Sequence, residues 1–241
     1  MGLGHEIGSA GAGPSQPRPA SSAEAIPSSA FPDQEHPALI VREPVETDAP
    51  SIGTVHVRAW QKAYRGGLMP DEYLDGLFGD ERAQMWAEGL RRPPRATFAR
   101  FVAEDDGGSV VGFVTVGPAD GELNSSEGEL YALNVDPDAW GRGFGQALLL
   151  AATDALSEAG FREALLWVHP GNERARAFYE RFGWGSDGGQ RQEEVLGVLV
   201  PEVRYRRPLG IDHDFASTAV DSDAVGVLSI GLRLPVLETA T

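Results

Sequence analysis

Cysteine is absent from this chain of 241 residues. That excludes disulfides, thiolate metal sites and any covalent intermediate on a thiol. Lysine is nearly absent: Lys62 stands alone, and the other 19 of the 20 basic residues are arginine. This reads as the codon habit of a GC-rich genome rather than as a binding surface. No apolar run approaches the roughly 20 residues of a membrane-spanning helix. The N-terminus lacks the charged-then-apolar pattern of a secretory signal, and Glu6 breaks a myristoylation match. The expectation is a cytoplasmic protein that engages no membrane. Basic charge is in deficit, with 36 acidic residues and a formal net charge of −16, which argues against a nucleic-acid surface. The excess suits either a cationic substrate drawn to a negative cleft or a solvated acidic surface. His56 and His169 lack partners at metal-ligand spacing, so no metal is expected.

What is present concentrates between Leu130 and Leu149. Leu130 to Val135 alternates as a strand, and Asp136-Pro137-Asp138 breaks it. From Gly143 onward Phe144, Ala147, Leu148, Ala151, Ala155 and Leu156 follow helical spacing. Between them lies a turn with glycines at 141, 143 and 145. A glycine-rich turn opening a helix aims several backbone N–H groups and a helix dipole at one point, which suits a phosphate; a plain tight turn is the alternative. A P-loop is excluded because Gly145 is followed by Gln146-Ala147 rather than Lys-Ser/Thr. A dinucleotide fingerprint is excluded because Gln146 and Leu148 stand where its last glycine belongs.

After the helix ends near Gly160, Glu163 to His169 forms a second apolar strand. Asn172 then caps a short helix that Gly183 ends, with Ala175, Phe178, Tyr179 and Phe182 on one face. The arrangement Val135…Gly141-Arg142-Gly143-Phe144-Gly145-Gln146…Asn172…Tyr179…Phe182-Gly183-Trp184 resembles the GNAT superfamily of acyl-CoA-dependent N-acyltransferases. The resemblance extends upstream to Leu39–Arg42 and Ala59–Gly66, and downstream to Glu202–Arg206. It covers roughly residues 38 to 208.

The remaining pattern places one α/β domain between two different ends. Residues 1–37 are rich in Gly, Ala, Ser and Pro without periodicity and are expected to be disordered. Residues 209–241 form an extension in which 224–236 alternates well enough for a strand or hairpin, to dock on a sheet edge, pair with a second subunit as a homodimer, or remain loose. In the body, strands are expected at Leu39–Pro44, Thr97–Glu104, Val110–Val116, Glu129–Val135, Glu163–His169, Gln192–Leu196 and Glu202–Arg206. Helices are expected at Asp48–Tyr64 with Ile52, Val55, Ala59 and Ala63 inward, from Pro70 to about Leu90, after Gly143, and at Asn172–Phe182. The resemblance implies that these strands close a mixed, mostly antiparallel twisted sheet flanked by helices, its splayed central strands holding acetyl-CoA.

The resemblance also implies the chemistry: transfer of an acetyl group from acetyl-CoA to an amine, small molecule or protein N-terminus, in a ternary complex. The amides of Gly141, Arg142, Gly143, Phe144, Gly145 and Gln146 would cradle the pyrophosphate. Trp140 departs from the Gln or Arg common at the start of that loop, a small loss because the family's phosphate contacts are mostly backbone amides. The Arg142 side chain reads either as a phosphate contact or as a solvated loop residue. Leu133, Asn134 and Val135 would run beside the pantetheine arm, an amide near Leu133–Asn134 polarising the thioester oxygen. Asn172 would contact the cofactor, and Tyr179 would protonate the departing thiolate, a task suited to a phenol of pKa roughly 10. Trp167 stands where some members carry a basic Glu. Others place one six residues before the position of Val135, which is Glu129, the expected base, with Glu122 and Glu127 as alternates in the same acidic approach. Trp60 and Tyr64 either wall the amine pocket or pack in the core. A noncatalytic acyl-CoA-binding module is the alternative, but would need no Tyr179. Small residues near Ala132 leave longer acyl groups open.

Overall fold

The computed structural model describes residues 39–119, 125–195 and 197–210. Among them the switch between period-2 and helical hydrophobic spacing yields twelve main elements. They are β1 (Ile40–Arg42), α1 (Ala49–Tyr64), α2 (Asp71–Asp75), α3 (Gly79–Arg91), β2 (Ala99–Glu104), β3 (Val110–Pro118), β4 (Gly128–Val135), α4 (Phe144–Glu158), β5 (Glu163–Val168), α5 (Glu173–Arg181), β6 (Gly185–Val195) and β7 (Val198–Pro208). The strands form one sheet in the order β1-β2-β3-β4-β5-β7-β6. Only β4 and β5 run parallel, because α4 carries the chain back across the sheet between them. The other neighbours are antiparallel. This is the mixed, mostly antiparallel α/β domain the resemblance implied.

β4 is buried along its whole length. Its even and odd residues cannot both face one core, so two cores meet it. Leu130, Leu133 and Val135 join Leu148 of α4 and Phe178 of α5 on one face. Ala132 joins Ile52, Val55, Trp86 and Phe113 on the face covered by α1 and α3. Leu130 and Leu133 share a face although three residues apart. The register between β3 and β4 slips there and leaves Tyr131 without a cross-strand partner, a bulge that resets the alternation. A smaller core of Tyr64, Met69, Leu74 and Val200 joins the end of α1 to α2 and the start of β7. Each large apolar side chain so buried contributes on the order of 1.5–3 kcal/mol.

Three expectations need correction. The single helix from Pro70 to Leu90 is two helices, α2 and α3, interrupted at Gly76-Leu77-Phe78. The break follows from packing: Leu74 and Leu77 both turn into the small core, and α3 restarts against α1. There Gly53 lies so close that a Cβ would stand 2.6 Å from the Ala83 nitrogen and the Gly79 oxygen. The last two strands are longer than Gln192–Leu196 and Glu202–Arg206. Gly185 to Gln192 is polar and glycine-rich without alternation, but as the edge of the sheet it needs only one partner, and its register slips between Ser186 and Gln190. Ala63, expected to face inward with Ile52, Val55 and Ala59, is only partly buried. The expectations for residues 1–37, for 224–236 and for Glu122 lie outside the described residues. No helix among the described residues is long and apolar enough to cross a membrane.

Candidate active site

The site grows out of the way β4 ends. β4 pairs with β5 only through Gly128↔Ala164, Glu129↔Leu165 and Leu130↔Leu166. β5 continues beside β7 to Val168, and β4 continues beside β3 to Val135. From Tyr131 onward the β5-facing edge of β4 therefore has no strand against it. The bulge at Tyr131 falls at the same point. The splay implied for Leu133, Asn134 and Val135 is present, and all three side chains are fully buried.

At the open end of β4 the chain turns through Pro137–Ala139, with the Asp136 side chain accepting from the Asp138 N–H at 2.9 Å. Trp140 donates its indole N–H to the Val135 carbonyl at 2.9 Å, which fixes the entry to the loop. Gly141 and Gly143 then adopt φ of +77° and +88°, a region costly for residues with a Cβ. Gly143 is the N-cap of α4 and has no side chain to satisfy the first-turn amides. Phe144 and Leu148, buried under the sheet, hold the helix start in place. Gly145 is buried in the first turn, Gln146 is half-buried and Arg142 is exposed. The loop thus offers amide donors at a helix N-terminus.

Across the splay, Asn172 caps α5 by accepting the Ala175 N–H at 3.1 Å. Its amide nitrogen is buried with no hydrogen-bond partner, as are both polar atoms of Asn134 and the hydroxyl of Tyr179. A buried polar atom without a partner costs about 1–3 kcal/mol, so a polar ligand in the gap would satisfy what the fold leaves unpaired. Tyr179 is fully buried, its ring edge-on to Phe178 and Trp184 at 5.4 and 6.0 Å. Burial, with the nearby Tyr64 phenol adding to it, pushes its pKa well above the ordinary value. Tyr179 therefore keeps its proton at neutral pH.

Trp60 and Tyr64 are buried, their rings 5.2 Å apart in the small core, and Tyr64 meets His169 edge-on at 6.2 Å. Both are core aromatics, and the one nearer the splay is Tyr64. His169 accepts the Gly171 N–H on Nδ1 at 3.0 Å, and burial lowers its pKa. Glu129 is 1% exposed, so it is not a surface carboxylate. It sits at the start of β4, in the stretch that pairs with β5, opposite in alternation to Leu130. Glu127 is bonded to Arg206, which also donates to Glu163 at 2.8 Å and Asp187 at 2.7 Å. The open acidic approach expected of Glu127 and Glu129 is therefore corrected: one is ion-paired and the other buried.

Two features were missed from the sequence. Arg174 of α5 stacks on Trp140, its guanidinium carbon 4.4 Å from the ring centroid. Trp167 has Arg191 and Arg204 over its ring at 4.2 and 5.5 Å. The partners lie 34 and 24 or more residues apart, beyond any local pattern.

A family model described as "Acetyltransferase (GNAT) family" matches residues 57–184. The chain is 32% identical over 165 residues to the uncharacterized N-acetyltransferase YuaI of Bacillus subtilis (strain 168), covering 68% of this chain and 90% of that protein. It is 32% identical over 161 residues to mycothiol acetyltransferase of Rhodococcus jostii (strain RHA1), covering 63% of this chain and 49% of that protein. In fold it resembles the PaiA N-acetyltransferase from Thermoplasma acidophilum in complex with coenzyme A, with TM-score 0.54 and 19% identity over 71% of this chain and 99% of the other. It also resembles a phosphinothricin acetyltransferase from Sinorhizobium meliloti in complex with AcCoA, with TM-score 0.54 and 20% identity over 78% of this chain and 97% of the other. With the family model spanning more than half of its residues, and with the splayed strands, glycine turn and buried tyrosine in the matching order, the chain belongs to the GNAT family of acetyltransferases.

Proposed function

We propose that this chain transfers the acetyl group of acetyl-CoA to a primary amine by direct attack in a ternary complex. The observation that carries the reading is the splay between β4 and β5, flanked by the glycine turn and by the protonated Tyr179. The gap fits the co-substrate: amide donors stand at its mouth, and Asn172 and Tyr179 present unpaired buried polar atoms along it. When bound, acetyl-CoA supplies an activated thioester.

Each residue then has a stated task. The amides of Gly141 to Gln146 hold the pyrophosphate, and the edge of β4 from Leu133 to Val135 aligns the pantetheine arm. An amide near Leu133–Asn134 stabilises charge on the thioester oxygen. Glu129, reached through a bridging water because it is buried, takes the proton that the amine must lose. The amine nitrogen forms a bond to the carbonyl carbon, the carbon–sulfur bond breaks, and Tyr179 gives its proton to the sulfur. The absence of cysteine excludes a relay through an enzyme thioester.

The test is thiol release from acetyl-CoA with a panel of polyamines, amino acids, aminoglycosides and peptides with free N-termini. Release that depends on one amine class, and falls in Tyr179→Phe, is the expected result. Tight binding of acetyl-CoA with no release for any amine would replace the enzyme with a binding module.

A further inference from the structure

The loop that receives the pyrophosphate lacks a basic residue at its first position, where Trp140 stands. The chain as a whole carries a formal charge of −16, so a polyanionic ligand needs a local cation to offset the surrounding field. Arg142 is exposed, with its guanidinium carbon 5.1 Å from the Phe144 ring centroid. On the other side of the loop, Arg174 lies in the first turn of α5, two residues after the N-cap Asn172. Its guanidinium lies over Trp140 at 4.4 Å. Trp140 cannot swing away without losing its 2.9 Å bond to the Val135 carbonyl. The indole is thus a fixed platform that holds a cation beside the glycine turn. Two residues before Arg174, the Asn172 amide nitrogen is buried and unpartnered.

We propose that Trp140 and Arg174 form a clasp in which the stacked guanidinium binds a phosphate of acetyl-CoA. The pair supplies, from the opposite wall of the groove, a basic side chain that the loop's first position lacks. A planar guanidinium suits this role because it can stack on an aromatic face and still use several in-plane N–H donors, more than one of which can reach phosphate oxygens. Burial lowers the Arg174 pKa, the cost an adjacent anion would relieve. The clasp rests on the acetyl-CoA reading above. The phosphate is either the pyrophosphate or the 3′-phosphate of the ribose, and the two separate by experiment.

Coenzyme A and 3′-dephospho-coenzyme A are titrated calorimetrically into the full chain, into Arg174→Gln and into Arg174→Lys, at low and high salt. A charge-assisted bond to phosphate predicts a loss of about 10- to 100-fold in affinity for Arg174→Gln. The loss should shrink at high salt. Loss for coenzyme A alone assigns the 3′-phosphate, and loss for both ligands assigns the pyrophosphate. If Arg174→Gln melts below wild type, Arg174→Lys decides. It keeps charge but not the planar fork, and weaker binding with a wild-type melt supports the clasp. Affinity within about twofold of wild type for both ligands, in a variant that melts normally, overturns the clasp and leaves acetyl-CoA binding intact. Failure of the wild-type chain to bind coenzyme A would instead overturn the acetyl-CoA reading and the clasp together.

Discussion

A phenol can serve as an acid only if it holds its proton until the leaving group needs it. Tyr179 meets that condition through complete burial, which disfavours phenolate. Tyr179→Phe should lower turnover by about 10²–10⁴-fold while leaving acetyl-CoA affinity nearly unchanged, since only a proton donor is lost. Wild-type turnover in that variant would reassign Tyr179 to packing against Phe178 and Trp184. Glu129 is harder to read from sequence. Its spacing from Val135 picks it out, but Gly128 beside it is equally suited to an exposed turn, and only the β4–β5 register places the carboxylate inside. Glu129→Gln is nearly isosteric and should flatten the acidic limb of the pH–rate profile, depress the neutral rate, and recover part of it at higher pH as more amine is free base. An unaltered profile would remove Glu129 from the chemistry. Because Glu127 is ion-paired and Glu129 buried, the Michaelis constant for a cationic amine should owe little salt dependence to either.

At the scale of elements, the β4–turn–α4 unit was legible because every part of it is local. Alternation marks the strand, Asp136-Pro137 ends it, and glycines permit the positive φ that opens the helix. Gly143→Val tests that logic. Its Cβ would meet nothing closer than a Leu39 methyl at 3.6 Å, so crowding is not the issue; the φ of +88° is. The strain, about 1–2 kcal/mol, should turn the first amides of α4 away. Acetyl-CoA binding should therefore weaken more than the melting temperature falls, measured by titration beside a thermal melt. The α2–α3 break was not legible. Nothing around Gly76 forbids a continuous helix; the interruption is imposed by the approach of α3 to Gly53 of α1. There even an alanine Cβ would lie 2.6 Å from backbone atoms that cannot rotate away. Gly53→Val should cost about 1–3 kcal/mol in chemical denaturation. Wild-type stability would show that α1 and α3 separate freely.

For the molecule as a whole, the polar groups inside the two cores make stability depend on pH. His56 packs between Trp60 and Phe113, each ring 5.6 Å away, and its Nδ1 has no partner. Burial, with the Arg82 charge adding to it, lowers its pKa from 6.5 to about 3. Between those values the unfolded chain binds a proton that the folded chain refuses. The contribution is therefore complete above pH 6.5 and is lost as pH falls toward 3, amounting to about 2 kcal/mol by pH 5. Denaturation at pH 7 and pH 5 should show a smaller acid loss in His56→Leu than in wild type. Equal losses would place the acid sensitivity elsewhere. The arginine-for-lysine habit also gains a structural use at this scale. Arg206 of β7 bonds Glu127 next to β4, Glu163 of β5 and Asp187 of β6, a geometry suited to a planar fork with several donors.

The sequence by itself determined whatever depends on near neighbours: the strand and helix periods, the glycine turn with its forced backbone, the Asn172 cap seven residues before Tyr179, and the family these motifs announce. Tertiary structure alone decided the rest, because it depends on which surfaces meet. The slip at Tyr131 and the three-residue pairing of β4 with β5 open the splay. Burial sets the charge states of Tyr179 and His56. Arg174 comes to rest on Trp140 because the end of β4 and the start of α5, far apart in the chain, meet at the same mouth. Spacing along a chain carries backbone preference, but not the desolvation or the cross-chain contact that turn a residue into part of a site.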